Sequence, residues 1–202
     1  MDSPDSYLTA ASEASTEIKI KGSRFIGQVY LCDDDNKARE VLDGVRKKYF
    51  DATHNCYAWR VGIGQDMQFK YSDDGEPNGT AGKPIYDQLD GAGLTDVIII
   101  VTRYFGGTKL GTGGLTHAYS DCAAEAIKKA GTIEKFVTGR FDVNLDFADY
   151  GAVERAAMAA GAVIVQSEFS DKVDLKLEIR RSQLEALKAK LVDITSGRIK
   201  ID

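Results

Sequence analysis

Three consecutive pieces of sequence decide the fold: LTDVIIIVTR at 94–103, YFGGTKLGTGG at 104–114 and LTHAYSDCAAEAIKKA at 115–130. The first carries an unbroken apolar centre, the pattern of a strand covered on both faces, so it belongs in the middle of a sheet. The third places Leu115, Ala118, Tyr119, Cys122, Ala123, Ala126 and Ile127 along one side of a helix, with Gly131 suited to end it in a left-handed conformation. Between them lies a glycine-rich loop that leads straight into the helix.

Upstream, Ser15 to Lys21 alternates apolar and polar residues, and Ser23 to Cys32 is rich in β-branched and aromatic side chains. Both read as strands joined by a turn at Gly22. Asp33 to Asp35 offers capping carboxylates for a helix to about Phe50, with Ala38, Val41, Leu42 and Val45 on one face. The run of aspartates is therefore taken as a cap and not as a metal site. Asn55 to Gly62 and Met67 to Ser72 predict a hairpin, followed by a long polar segment. A strand at Ile133 to Val137 is expected to close this first domain.

From Thr138 the order becomes strand, helix, strand, strand, helix, strand. Arg140 to Phe147, Ala162 to Phe169 and Lys172 to Ile179 alternate, Tyr150 to Ala160 is an alanine-rich helix, and Ser182 opens a capping-box-like helix. That order predicts a ferredoxin-like βαββαβ unit. The whole chain reads as an α+β protein of two domains, 1–137 and 138–202, joined closely near Lys135 to Gly139.

The balance of 43% hydrophobic and 28% charged residues excludes a disordered or collagenous chain. No apolar run approaches the roughly 20 residues of a membrane span. Met1 to Thr16 has no basic start or apolar stretch, so a secretory signal is not expected and the cytoplasm is the expected location. The 3 cysteines, Cys32, Cys56 and Cys122, lie far apart without a CxxC pair and read as reduced, buried thiols. A net charge of -5 repels phosphate backbones, so any nucleic-acid contact needs a local basic patch.

Half of the 20 glycines and two of the 3 prolines fall between Gly75 and Gly114. Glycine lets the main chain come close to a ligand or to another backbone. In the loop, the N–H groups of Gly106, Gly107, Gly111, Gly113 and Gly114 stand at or near the helix start, with Arg103 and Lys109 beside them. Such an end favours a phosphate or carboxylate. The alternative is that the glycines only make a tight turn and pack the helix on its sheet. Neither the Walker A nor the dinucleotide fingerprint is present.

A second candidate is a polar site of His54, Asp73, Asp74, Glu76 and Lys83. Its three carboxylates could hold a metal or move a proton if the turn aimed them inward, but acidic turns of this kind mostly face water, and that is the reading preferred from sequence. The two histidines, His54 and His117, are too few for a closed zinc site. His54 and Cys56 share a strand face without a visible activator for the thiol. No metal or cofactor is expected, no residue is assigned as catalytic, and enzymatic activity stays open.

Four stretches in order together resemble the IMPACT family, including its bacterial YigZ-like members: KGSRFIG at 21–27, HNCYAWR at 54–60, DDGEP with GTAGKP across 73–84, and VTRYFGG from 101 continuing to Gly114. The resemblance covers Glu17 to about Ala130. It implies a first domain with the βα fold shared by the second domain of a small-subunit ribosomal protein, by elongation factor G and by GHMP kinases. It also implies that the tail is the ferredoxin-like domain of bacterial members, similar to domains of elongation factor G. The expected partner is then RNA, the ribosome or a translation factor, with no membrane, and the oligomeric state is not fixed. The rival expectation, from the kinase likeness, is a nucleotide-dependent phosphotransferase-like enzyme using the same loop and the acidic turn.

Overall fold

The computed structural model describes residues 5–202. The first four positions of the stretch read above as no secretory start lie outside the described residues. Two compact units follow from the chain's internal contacts, one ending at Lys135 and the other running from Phe136 to Asp202.

The first unit is built on a five-stranded antiparallel sheet. Its strands are β2 (Ala14–Ile20), β3 (Ser23–Leu31), β4 (His54–Val61), β5 (Gln68–Ser72) and β6 (Val97–Tyr104), in the spatial order β2-β3-β6-β4-β5. The apolar run at 94–103 thus occupies the centre, as its pattern requires. Its Val97, Ile99 and Val101 enter one core with α2 (Gly82–Gly91) and α3 (Gly111–Ala130), while Ile98 and Ile100 enter another with α1 (Asp35–Lys48). Asp34 caps α1 by accepting from Lys37 N–H at 2.6 Å, which is the role assigned to the aspartate run.

Two elements differ from the sequence expectation. The strand expected to close the domain, β7 (Thr132–Phe136), pairs outside the main sheet with β1 (Ser6–Ala10), a five-residue strand too short to be read from its pattern. Helix α2 occupies part of what read as a long polar segment. Its Pro84 sits in the first turn, where a missing N–H costs nothing because that group has no intrahelical acceptor.

The second unit has β8 (Thr138–Leu145), α4 (Phe147–Ala159), β9 (Val163–Phe169), β10 (Val173–Arg180), α5 (Leu184–Ile194) and β11 (Lys200–Ile201), with sheet order β11-β8-β10-β9. This is the ferredoxin-like arrangement. Phe141, Val143, Leu145, Leu175 and Leu177 alternate inward to a core closed by Val153, Ala157, Leu187 and Leu191. Helix α5 is entered through a single 3-10 turn, Arg181–Gln183, so Ser182 lies inside that turn, one residue before the helix's N-cap position Gln183.

Candidate functional site

The register of the main sheet puts Phe25, Arg103 and His54 in one row across β3, β6 and β4. That row sits at the end of the sheet where the 73–81 segment and the start of α3 converge. The Arg103 guanidinium is held over the Phe25 ring at 5.3 Å and the Phe105 ring at 5.5 Å. Its Nη1 donates to Glu76 Oε1 at 2.5 Å, and the two side chains are only 5% and 4% exposed. Tyr119 of α3 donates its hydroxyl to the same carboxylate oxygen at 2.7 Å. Burial in this setting, reinforced by Cys56 and Glu76, pushes the Tyr119 phenol far above its ordinary range, so it stays a donor.

The acidic turn is therefore not a solvated one. Asp73 accepts from the N–H groups of Ala81 and Gly82 at 2.9 and 2.8 Å and from Gly79 N–H at 2.9 Å, which caps α2 from outside the helix. Asp74 accepts from Asn55 N–H and from Arg46 Nη2, each at 2.7 Å. These two contacts fix the segment and turn Glu76 inward. Among the described residues no group of histidine, cysteine and carboxylate side chains has the geometry of a metal site.

His54 Nδ1 is 2.8 Å from the Asp74 carbonyl oxygen, so that nitrogen carries the proton and Nε2 faces Glu76 Oε2 at 3.8 Å. Cys56 is fully buried and donates its thiol to the Asp73 carbonyl at 3.0 Å. Burial raises its pKa far above the ordinary thiol value, which fits an inert thiol and not a nucleophile. Lys83 stands apart from this cluster: it is exposed on α2 and pairs with Asp87 one turn on. His117 is exposed on α3.

The glycine loop divides at Gly106. Phe105 N–H donates to Thr53 Oγ1 at 3.0 Å and Gly106 N–H to Ser23 Oγ at 3.2 Å. A Cβ on Gly106 would come within 1.9 Å of the Gly22 carbonyl carbon, so this glycine is needed for the close approach of two backbones. From Gly107 through Gly113, among the described residues, no main-chain N–H donates to a protein acceptor. Lys109 and Thr112 are exposed beside them, and α3 begins at Gly111 with no side-chain cap.

The loop and the buried cluster meet in one cleft of about 370 Å³, lined by Glu76, Pro77, Arg103, Phe105, Lys109, Leu110, Gly111, Thr112 and Leu115. Glu76, Arg103 and Leu115 are its buried wall, while Lys109, Gly111 and Thr112 are its exposed rim. Of the residues named from sequence, Arg103, Lys109, Gly111 and Glu76 come together here, and His54 stands behind Glu76. Tyr119 and Ser23 were not named as site residues. Tyr119 was legible only as one apolar-face position of α3, and Ser23 only as part of the 21–27 motif.

Residues 21–127 match the Impact N-terminal domain, and residues 143–198 match a Domain of unknown function (DUF1949). The chain is 32% identical over 96% of its length to IMPACT family member YvyE of Bacillus subtilis, covering 88% of that protein. It is also 32% identical over 98% of its length to IMPACT family member YigZ of Escherichia coli, covering 97% of it. A solved crystal structure of a hypothetical protein superposes with a TM-score of 0.74 at 32% identity, over 98% of this chain and 97% of that one.

Proposed function

The chain belongs to the IMPACT family, and from that membership we propose that it is a non-enzymatic regulatory module of translation or the stress response, binding phosphate of RNA or the ribosome through its glycine-rich loop. The observation that carries this reading is the run of N–H groups from Gly107 to Gly113 without protein acceptors among the described residues, beside the exposed Lys109 at the start of α3. Unpaired donors at a helix start attract anions, and a lysine adds charge in a protein whose overall charge is -5. The translation-factor-like domains that family membership implies support this setting by fold analogy. The cytoplasm is the compartment this reading requires, and no helix among the described residues is long and apolar enough to cross a membrane.

Arg103 has a different part from the one expected of it. With its guanidinium committed to Glu76, it orders the wall of the cleft, and Lys109 supplies the free charge. The test is therefore Lys109→Glu in a co-sedimentation assay with RNA and ribosomes across a salt series. Binding is expected to weaken at every sequence, with the salt slope reduced by about one. Unchanged binding and slope would remove the proposal.

A second reading, a phosphotransferase-like enzyme, is favoured by one observation: the buried carboxylate of Glu76 on the cleft wall, with His54 behind it. Asp73 and Asp74 are engaged by main-chain and arginine donors, so Glu76 alone of the three reaches the cleft. Thermal shifts with magnesium nucleotides separate the readings, since a specific ligand at about 100 times its Kd adds about 2.7 kcal/mol. Turnover of a bound nucleotide would favour the enzyme.

A further inference from the structure

The four-stranded sheet of the second unit ends, among the described residues, in a strand with one neighbour: β9 pairs with β10 and has no strand on its other side. A free edge presents a row of main-chain donors and acceptors, and proteins commonly guard such edges with lysine. The other edges of the two larger sheets follow that rule, with Lys19 on β2, Lys70 on β5 and Lys200 on β11. Strand β9 reads VIVQSEF and carries Glu168 as its one charge.

Its side chains are apolar where an open edge is normally polar. Val163, Val165 and Phe169 are 61%, 42% and 55% exposed, and Phe147 of α4, also exposed, stands beside Phe169 with ring centroids 6.3 Å apart. A bulge opposite Lys176 and Leu177 leaves Val165 without an opposite residue on β10. The register with β10 sorts the rest by face. Ser167 lies opposite Leu175 and Phe169 opposite Val173, both core residues, so these two belong to the helix-covered side. Gln166 and Glu168 lie opposite Lys176 and Asp174 on the outer side.

We propose that β9 pairs antiparallel with β9 of a second copy of this chain, about a twofold axis through Ser167, so that two four-stranded sheets become one continuous sheet. An axis normal to the sheet keeps the helices of both copies on one side and sets like faces together. Centred on Ser167, it places Val165 opposite the partner's Phe169 on the helix side and Gln166 opposite the partner's Glu168 on the outer side. Gln166 already donates to Glu168 of its own strand at 2.9 Å, and its second amide hydrogen serves the carboxylate across the axis. Neighbouring registers are worse: centring on Glu168 opposes two carboxylates, and centring on Gln166 sets the partly buried Ile164 against a carboxylate. A strand pair of this length is smaller than the roughly 1,200 Å² of a standard interface, so the dimer forms and separates with concentration.

The experiment is sedimentation velocity of the full chain over a micromolar to millimolar series, together with disulfide trapping. Directly opposed residues of an antiparallel pair have Cα atoms about 4.5–5.5 Å apart, within the span of about 4.4–6.8 Å that a disulfide bridges. The main species should shift from monomer to dimer as concentration rises, and Ser167→Cys should form a covalent dimer under mild oxidation. The native thiols are buried and do not compete. Gln166→Cys and Glu168→Cys should cross-link efficiently only when the two variants are mixed. Val165→Lys, at an exposed position, should abolish the dimer, and in the Ser167→Cys background the cross-link, while circular dichroism stays unchanged. A chain that stays monomeric throughout the series, with Ser167→Cys untrapped, would overturn the proposal. So would a dimer that survives Val165→Lys, because its interface would lie elsewhere.

Discussion

The two glycine-containing polar segments of the first unit look alike in composition and end in opposite states. In the 73–82 turn every carboxylate is engaged: Asp73 caps α2, Asp74 ties β4 to Arg46, and Glu76 is buried against Arg103 and Tyr119. In the loop from Gly107 to Gly113, among the described residues, the main-chain donors have no protein acceptor, and Thr108, Lys109 and Thr112 are exposed while Leu110 packs against the core. One segment uses its polar groups to hold the fold; the other leaves them available to something outside it. Polarity in a loop is therefore not evidence of function until the partner of each group is known.

The largest break in that contrast should come from Arg103→Met, which leaves the Glu76 carboxylate buried without its cation. Chemical denaturation should show a loss of about 3–5 kcal/mol, as for other half-broken buried pairs. A loss below about 1 kcal/mol would mean that the pair is not a structural element. The double variant Arg103→Met with Glu76→Gln should recover part of the loss, because no unpaired charge then remains.

Gly106 and Gly113 sharpen the contrast within the loop itself. Gly106→Ala meets the Gly22 backbone and should cost about 1–3 kcal/mol, while Gly113→Ala meets nothing within 4 Å and should be neutral or stabilising by up to about 1 kcal/mol, because it lies within a helix. Equal effects would show that the loop does not divide at Gly106.

Asp73→Ala removes the acceptor of three N–H groups and should cost about 1–2 kcal/mol. The same change should expose Cys56, whose thiol lies under the Asp73 carbonyl. In the unaltered chain all three thiols are buried, with Cys32 and Cys122 pushed up to about 12 by that burial, so Ellman's reagent at pH 8 should label none of them without denaturant. Rapid labelling of the native chain would contradict the closed state of the turn.

Lys109→Glu should have the smallest effect on stability, within about 0.5 kcal/mol, because the side chain is exposed and no ion pair with it is formed among the described residues. A larger loss would place Lys109 among the groups that hold the fold and take it out of the anion reading.

Much of the fold was legible because its signals are local. The run of Val97 to Val101 could only be a doubly covered strand, α1 announced its apolar face and its Asp34 cap, and the alternation from Arg140 onward set out the βαββαβ order. The glycine loop and its cations were also legible as a candidate site. Less visible was α2, whose capping carboxylate, Asp73, lies eight and nine positions before the N–H groups of Ala81 and Gly82 that it serves. A local search for a Ser, Thr, Asp or Asn cap finds only Ala81 at that place.

The sequence by itself determined most of the strands and helices, with β1 and α2 the exceptions, since side-chain periods of 2 and 3.6 are properties of consecutive residues. It also determined family membership, through four motifs in a set order. Only the tertiary structure decided which charges are inside. Arg103, Glu76 and Tyr119 are 27 and 43 positions apart along the chain, and Glu76 turns inward because Asp73 and Asp74 are anchored on other elements. A carboxylate's preference for water is reversed only when donors from distant segments converge on it, and that convergence has no period to read.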